Sequence, residues 1–84
     1  MSSAEERARA LLARALDRDL DEVPTDATPD TLDAWDSLGH LRLTVALEQA
    51  LDRPLTVDEI LETRSITQIA LLLETTSSQQ TAIG

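Results

Sequence analysis

The segment from Ser37 to Leu51 constrains the fold most, because its apolar residues recur at the spacing of a long α-helix. They fall on two separate faces of that helix: a broad one with Leu43, Ala46, Leu47, Ala50 and Leu51, and a narrow one with Leu38, Leu41 and Val45. The broad face predicts packing against a core. The narrow face is either a second core contact or an exposed docking strip.

Three further helices are predicted around this one. The first runs from about Ser3 to Leu20, with Ser2 or Ser3 as its cap. Capping boxes at Thr56 and Ser65 open a brief helix and a last helix. The sequence therefore predicts an all-α, small four-helix bundle with three longer helices, one short helix and a long loop between the first and second. Residues 1–75 form the domain, and residues 76–84 form a flexible C-terminal tail, since they lack apolar periodicity.

Composition excludes several classes of function. The chain has 84 residues and no cysteine, so disulfides and cysteine-based metal sites are absent, and a deep active-site cavity is not expected in so small a domain. A net charge of -9 would repel nucleic acid. The longest apolar run, 69–73, is far shorter than the ~20 residues that span a bilayer. We expect a monomeric, cytoplasmic protein that binds neither nucleic acid nor membranes and holds no metal ion.

The predicted loop, residues 21–36, is unusually long and acidic. Eight acidic residues lie between Asp17 and Asp36, where Arg18 is the one basic residue. They either keep a small protein soluble or form a docking surface for basic partners. Val23, Leu32 and Trp35 are expected to anchor the loop to the core. Asp17, Asp19 and Asp21 resemble the start of a calcium-binding loop, but Glu22 and Thr28 replace the required glycine and glutamate.

Ser37 is the residue that most needs a functional explanation. On local rules alone Ser37 is a helix cap. His40 follows one turn later, but no oxyanion-hole motif surrounds the pair, so the chain is not expected to be an enzyme. Gly39 lowers helix propensity by about 1 kcal/mol relative to alanine, and we expect it to leave an uncrowded surface near Ser37.

The sequence Asp36-Ser37-Leu38, placed after an acidic loop and at the start of a long helix, resembles the signature of the acyl carrier protein family, including peptidyl and aminoacyl carriers. The similarity extends from Asp36 through Leu73. It includes Ala46-Leu47-Glu48, Leu55 before the short helix and Ser65-Ile66 before the last helix.

The resemblance implies that a phosphopantetheinyl transferase joins 4′-phosphopantetheine from coenzyme A to Ser37. Asp36 would assist by docking the transferase or helping to coordinate its metal. The arm would supply the thiol that the sequence lacks and would carry acyl or aminoacyl groups as thioesters. Partners would include acyltransferases, adenylating enzymes or ketosynthase-type enzymes with basic docking surfaces.

The resemblance also implies that the second helix is the main partner-recognition element. Its expected contact residues are Leu38, Leu41, Arg42, Val45 and Glu48. Gly39, Arg42 and Gln49 stand where carriers of fatty-acid synthesis place acids. This difference favours a specialised pathway of polyketide or hybrid peptide-polyketide biosynthesis.

Two questions stay open at the level of sequence. The chain could instead be a helical adaptor that binds a partner through Leu38, Leu41 and Val45 without covalent modification. If cargo enters the bundle, Leu47, Ile60 and Ile66 are the candidates for lining its cleft.

Overall fold

The computed structural model describes the backbone of residues 3–83 and the side chains of residues 3–74. Helix α1 spans Ala4–Ala15, α2 Ser37–Leu51, α3 Val57–Glu62 and α4 Ile66–Ile83, and a 3₁₀ turn covers Leu20–Glu22. The described part contains no strand. The prediction of a small all-α bundle with one short helix and a long first loop is confirmed.

Helix α1 packs against both α2 and α4, so the core lies where these three helices meet. The broad face of α2 contributes its three leucines, Leu43, Leu47 and Leu51, which are buried as predicted. Ala46 is only half-buried and Ala50 is exposed, so this face is narrower than the sequence predicts. The other buried apolar residues are Ala8, Leu12, Ala13, Leu16, Val23, Ala27, Trp35, Leu55, Ile66, Ile69 and Ala70.

Helices α1 and α2 each end at an aspartate whose backbone adopts the left-handed conformation. Asp17 adopts a φ of 57°, and the amide of Arg18 returns to the carbonyl of Ala13, which closes α1 five residues before the predicted end at Leu20. Asp52 has a φ of 56° and ends α2 at Leu51, as predicted. Aspartate tolerates this conformation better than most residues, so no glycine is needed at either end.

The loop between α1 and α2 is fixed by buried side chains and by hydrogen bonds from α1. Val23, Ala27 and Trp35 are buried in the core. From α1, the Arg9 guanidinium donates hydrogen bonds to the carbonyl oxygens of Leu20 and Val23. The predicted anchors Val23 and Trp35 are confirmed, and Leu32, which is partly buried, also packs against the core. Ala27 is an additional anchor.

Helix α3 begins with the predicted capping box. Thr56 Oγ1 accepts a hydrogen bond from the amide of Glu59, whose carboxylate accepts one from the amide of Thr56. The same carboxylate pairs with the Arg53 guanidinium at 3.0 and 2.9 Å. The side-chain hydrogen bonds from Arg53, followed by the backbone hydrogen bond from Thr56, lower the pKa of Glu59 to about 2 from an ordinary value of 4.5.

This ion pair makes part of the stability dependent on pH. Because the pKa of Glu59 is lower in the folded state, the ionised carboxylate contributes to the free energy of unfolding. This contribution is complete above about pH 4.5 and is lost as the pH falls towards 2. We expect Glu59→Gln to lower the free energy of unfolding by about 1 kcal/mol near neutral pH and by almost nothing at acid pH. The loss at neutral pH is small because the ion pair lies near the surface. Urea unfolding at both pH values measures this, with the exposed Glu62→Gln as control. An equal loss at both pH values would contradict the assignment.

Helix α4 starts at the predicted residue but continues further than predicted. The hydroxyl of Ser65 accepts a hydrogen bond from the Gln68 amide at the start of the helix. The sequence predicts no regular helix from residue 76 onward, whereas the helix reaches Ile83. The division of the chain into a domain of residues 1–75 and a flexible tail of residues 76–84 stays a prediction.

Candidate functional site

Ser37 is the first residue of α2 and is exposed. Within the described side chains its hydroxyl has no hydrogen-bond partner. The prediction that Ser37 caps the helix is wrong, because the cap is Asp36. Asp36 has extended backbone, and its Oδ1 accepts a hydrogen bond from the Gly39 amide at 2.9 Å. Capping therefore occupies the neighbouring carboxylate and leaves the Ser37 hydroxyl free.

Gly39 allows the loop to pass close to the first turn of α2. Gly39 is buried, and a Cβ atom there would collide with the Ala34 carbonyl oxygen and lie 2.7 Å from Leu16 Cδ2. The expectation that Gly39 leaves an uncrowded surface is wrong. The glycine lets the loop and α1 press against α2 directly behind Ser37.

Trp35 and His40 connect the loop, α2 and α3. The buried Trp35 indole donates from Nε1 to His40 Nδ1 at 3.0 Å, and His40 Nε2 lies 2.8 Å from the Ile60 carbonyl oxygen. Since Nδ1 accepts, the ring proton is on Nε2, which donates to Ile60. Both ring nitrogens are thereby occupied within the fold. His40 is a structural link between helices and is not placed as a base for Ser37.

A groove of about 390 Å³ opens beside Ser37. It is lined by Pro29, Trp35, Asp36, Ser37, His40 and Arg64. Arg64 lies in the turn between α3 and α4, 27 positions after Ser37, and no local pattern in the sequence connects the two residues. The fold alone brings this cation to the candidate site.

The narrow apolar face of α2 is exposed. Leu38, Leu41 and Val45 are 56, 59 and 46% exposed, so of its two possible roles the docking strip is favoured over a core contact. Arg42, beside them, is also exposed. Hereafter these three apolar residues are called the α2 stripe.

Glu48 differs from the other predicted partner contacts. It is half-buried, and its Oε2 accepts a hydrogen bond from the Leu55 amide at 2.9 Å, so it holds the turn between α2 and α3. Its proposed role in partner binding stays a prediction, and any substitution there also disturbs the turn.

The three predicted cargo-lining residues are packed in this structure. Leu47 and Ile66 belong to the buried core, and Ile60 packs against it. A smaller groove of about 160 Å³ between α3 and α4 is lined by other residues, among them Leu71 and Leu72. Entry of cargo into the bundle through Leu47, Ile60 and Ile66 stays a prediction.

The electrostatic surroundings of the site are acidic. The eight acidic residues from Asp17 to Asp36 are all exposed. Residues 3–74 bring together no group of three or more acidic or histidine side chains that could hold a metal ion. Among the helices described, none is both long and apolar enough to cross a membrane.

Comparison with known protein families identifies the family of the chain. A family model described as the phosphopantetheine attachment site matches residues 6–73, which is most of the chain and extends from the third residue of α1 into the first half of α4. No curated protein matches the chain significantly. Domains of the matched family bear a covalently attached 4′-phosphopantetheine and are generally not catalytic. The chain therefore belongs to the phosphopantetheine attachment family of acyl carrier proteins.

Proposed function

We propose that Ser37 is the attachment residue of the cofactor and that the chain, itself not an enzyme, presents acyl or aminoacyl thioesters to partner enzymes. The observation that carries this proposal is the exposed hydroxyl of Ser37 at the start of α2, which has no hydrogen-bond partner among the described side chains and lies inside the segment matched by the family model. The cofactor supplies a thiol to a chain that has no cysteine.

The residues around Ser37 suit a phosphodiester. The hydroxyl is free to form the ester bond, the groove beside it offers space, and Arg64 on the groove wall carries the charge that an anionic phosphate needs. Among the described side chains none is hydrogen-bonded to the Ser37 hydroxyl, and both ring nitrogens of His40 are engaged by Trp35 and Ile60. Activation must therefore come from the transferase and its metal ion, with the exposed Asp36 carboxylate assisting at that contact.

The surface of α2 supports partner recognition. The transferase, and acyltransferases, adenylating enzymes or ketosynthase-type enzymes after it, would bury the α2 stripe, with Arg42 and Glu48 at its border. The exposed acids of the loop would meet basic residues of these partners. The protein would act in the cytoplasm as a monomer.

The proposal of a specialised pathway is supported by residues that differ from the pattern of fatty-acid carriers. Gly39 no longer contributes to this argument, because its packing against Ala34 and Leu16 explains it. Arg42 and Gln49 are exposed on α2, where a partner enzyme could contact them. They support a role in polyketide or hybrid peptide-polyketide biosynthesis.

The proposal is tested by intact-mass measurement. After incubation with coenzyme A, magnesium and a broad-specificity transferase, the chain is expected to gain the mass of one phosphopantetheine. Trypsin cleaves after Arg18 and Arg42, so fragmentation of the peptide 19–42 locates the added group on Ser37. If the mass is unchanged while partner binding through the α2 stripe persists, the protein is an adaptor instead.

Recognition by the transferase tests the α2 stripe. We expect Leu41→Ala to raise the KM for the carrier about tenfold, because the partner loses an apolar contact worth about 1.4 kcal/mol. Leu71→Ala is the matched control, since Leu71 is 54% exposed on α4 and lies outside the stripe. Steady-state kinetics at a fixed coenzyme A concentration measure both. Equal KM values for the two variants would place docking elsewhere.

A further inference from the structure

The groove beside Ser37 joins two parts of the chain that are far apart in sequence. Ser37 and Asp36 lie at the start of α2, whereas Arg64 follows α3. The Arg64 backbone amide donates to Gln68 Oε1 at 2.8 Å, so α4 fixes the position of this residue. Arg64 is one of the residues that line the same groove, and its side chain is 57% exposed.

Arg64 is only loosely engaged within the fold. Among the described side chains its ion-pair partner is Asp30, with an N···O distance of 4.0 Å, and the Asp30 side chain is 88% exposed. A contact at this distance is longer than a charge-assisted hydrogen bond, and an exposed ion pair of this kind contributes little. The guanidinium can therefore exchange Asp30 for a better anion without loss of fold stability.

A phosphodiester on Ser37 would provide that anion. Arg64 is the one arginine among the described groove-lining residues, and guanidinium groups bind phosphate oxygens with paired, charge-assisted hydrogen bonds. Pro29, Trp35 and His40 line the same groove, so the rest of the arm would lie against them.

We propose that Arg64 binds the phosphodiester of the cofactor on Ser37 and holds the arm in this groove when no partner enzyme is bound. The proposal rests on Ser37 being the attachment residue. Asp30 competes with the phosphodiester for Arg64, so removing the charge of Asp30 strengthens the contact. A partner enzyme must displace the arm from Arg64 before it can draw the thiol into its own active site.

The test compares the apo and holo forms of the intact chain by nuclear magnetic resonance. Trp35 is the single tryptophan and His40 the single histidine, so the indole N–H and imidazole C–H signals that report on the groove are unambiguous. The Arg64 Nε–H signal and the phosphorus signal of the cofactor report on the contact itself. Modification at Ser37 is first verified by mass, which separates a failure of the attachment proposal from a failure of this one.

In the wild type, we expect attachment to shift the Arg64 Nε–H and Trp35 indole signals. Arg64→Gln should remove most of the Trp35 shift and move the phosphorus signal, whereas Asp30→Asn should enlarge the Trp35 shift. Arg7→Gln, an exposed substitution in α1 outside the groove, should change neither signal. Salt at about 1 M, where the Debye length is about 3 Å, should reduce the wild-type shift.

Two outcomes overturn the proposal. If holo protein with verified Ser37 modification shows the same Trp35 and phosphorus signals in the wild type and in Arg64→Gln, the arm does not use Arg64. If no mass is gained at Ser37, the attachment proposal and this inference fail together.

Discussion

Replacing Ser37 with alanine is expected to abolish the mass gain completely while leaving the fold intact. The hydroxyl is the only atom group removed, and within the described side chains it has no hydrogen-bond partner. Because Asp36 rather than Ser37 caps α2, the free energy of unfolding should change by less than about 0.5 kcal/mol. Intact mass after the transferase reaction and urea unfolding measure the two effects.

Asp36→Ala provides the matched comparison at the next residue. It removes the hydrogen bond from the Gly39 amide and should lower the free energy of unfolding by about 1 kcal/mol. Attachment to Ser37 should still occur in this variant, but more slowly if Asp36 assists the transferase. A Ser37→Ala variant that still gains mass would assign the cofactor to another residue. One that unfolds as readily as Asp36→Ala would show that Ser37 also caps the helix.

Gly39→Ala is expected to lower the free energy of unfolding by about 2 kcal/mol, although alanine favours helices by about 1 kcal/mol. The added Cβ would collide with the Ala34 carbonyl oxygen, which belongs to the backbone and cannot rotate away, as well as with Leu16 Cδ2. The loop or the first turn of α2 must then move.

Ala50→Gly is the control for this substitution, because Ala50 is exposed on the same helix and reports helix propensity without steric contacts. Ala50→Gly should lower the free energy of unfolding by about 1 kcal/mol. Thermal or urea unfolding of both variants distinguishes the effects. If Gly39→Ala instead raises the free energy of unfolding, as the higher helix propensity of alanine alone would do, the loop does not pack against α2 as closely as the structure shows.

The starts of the four helices and both bounds of α2 follow from the sequence. Residues 37–51 form a helix with the predicted bounds, and Thr56 caps α3 as its spacing to Glu59 predicts. These features depend on neighbours within one or two turns, so a local pattern is sufficient to identify them. The sequence predicts the end of α1 too late, because α1 ends at an aspartate, Asp17, with a positive φ and no glycine stands there as a signal.

The surroundings of Ser37 could be predicted only in part. Periodicity identifies the α2 stripe but does not decide between a second core contact and an exposed docking strip, and its exposure is known only from the structure. By contrast, Gly39 meets Ala34 and Leu16 through tertiary packing, and Arg64 reaches the groove from the turn before α4. Local sequence carries no signal for contacts that depend on how separate helices are placed.

The attachment of the long loop to Arg9 determines which part of the chain can be exchanged between related proteins. Arg9 lies in the middle of α1, yet its guanidinium holds the carbonyl oxygens of Leu20 and Val23 at the start of the loop. Helix α1 and the acidic loop are therefore one structural unit. A chimera that transfers residues 16–36 alone would lose this support, whereas transfer of residues 4–36 would keep the acids and their scaffold together.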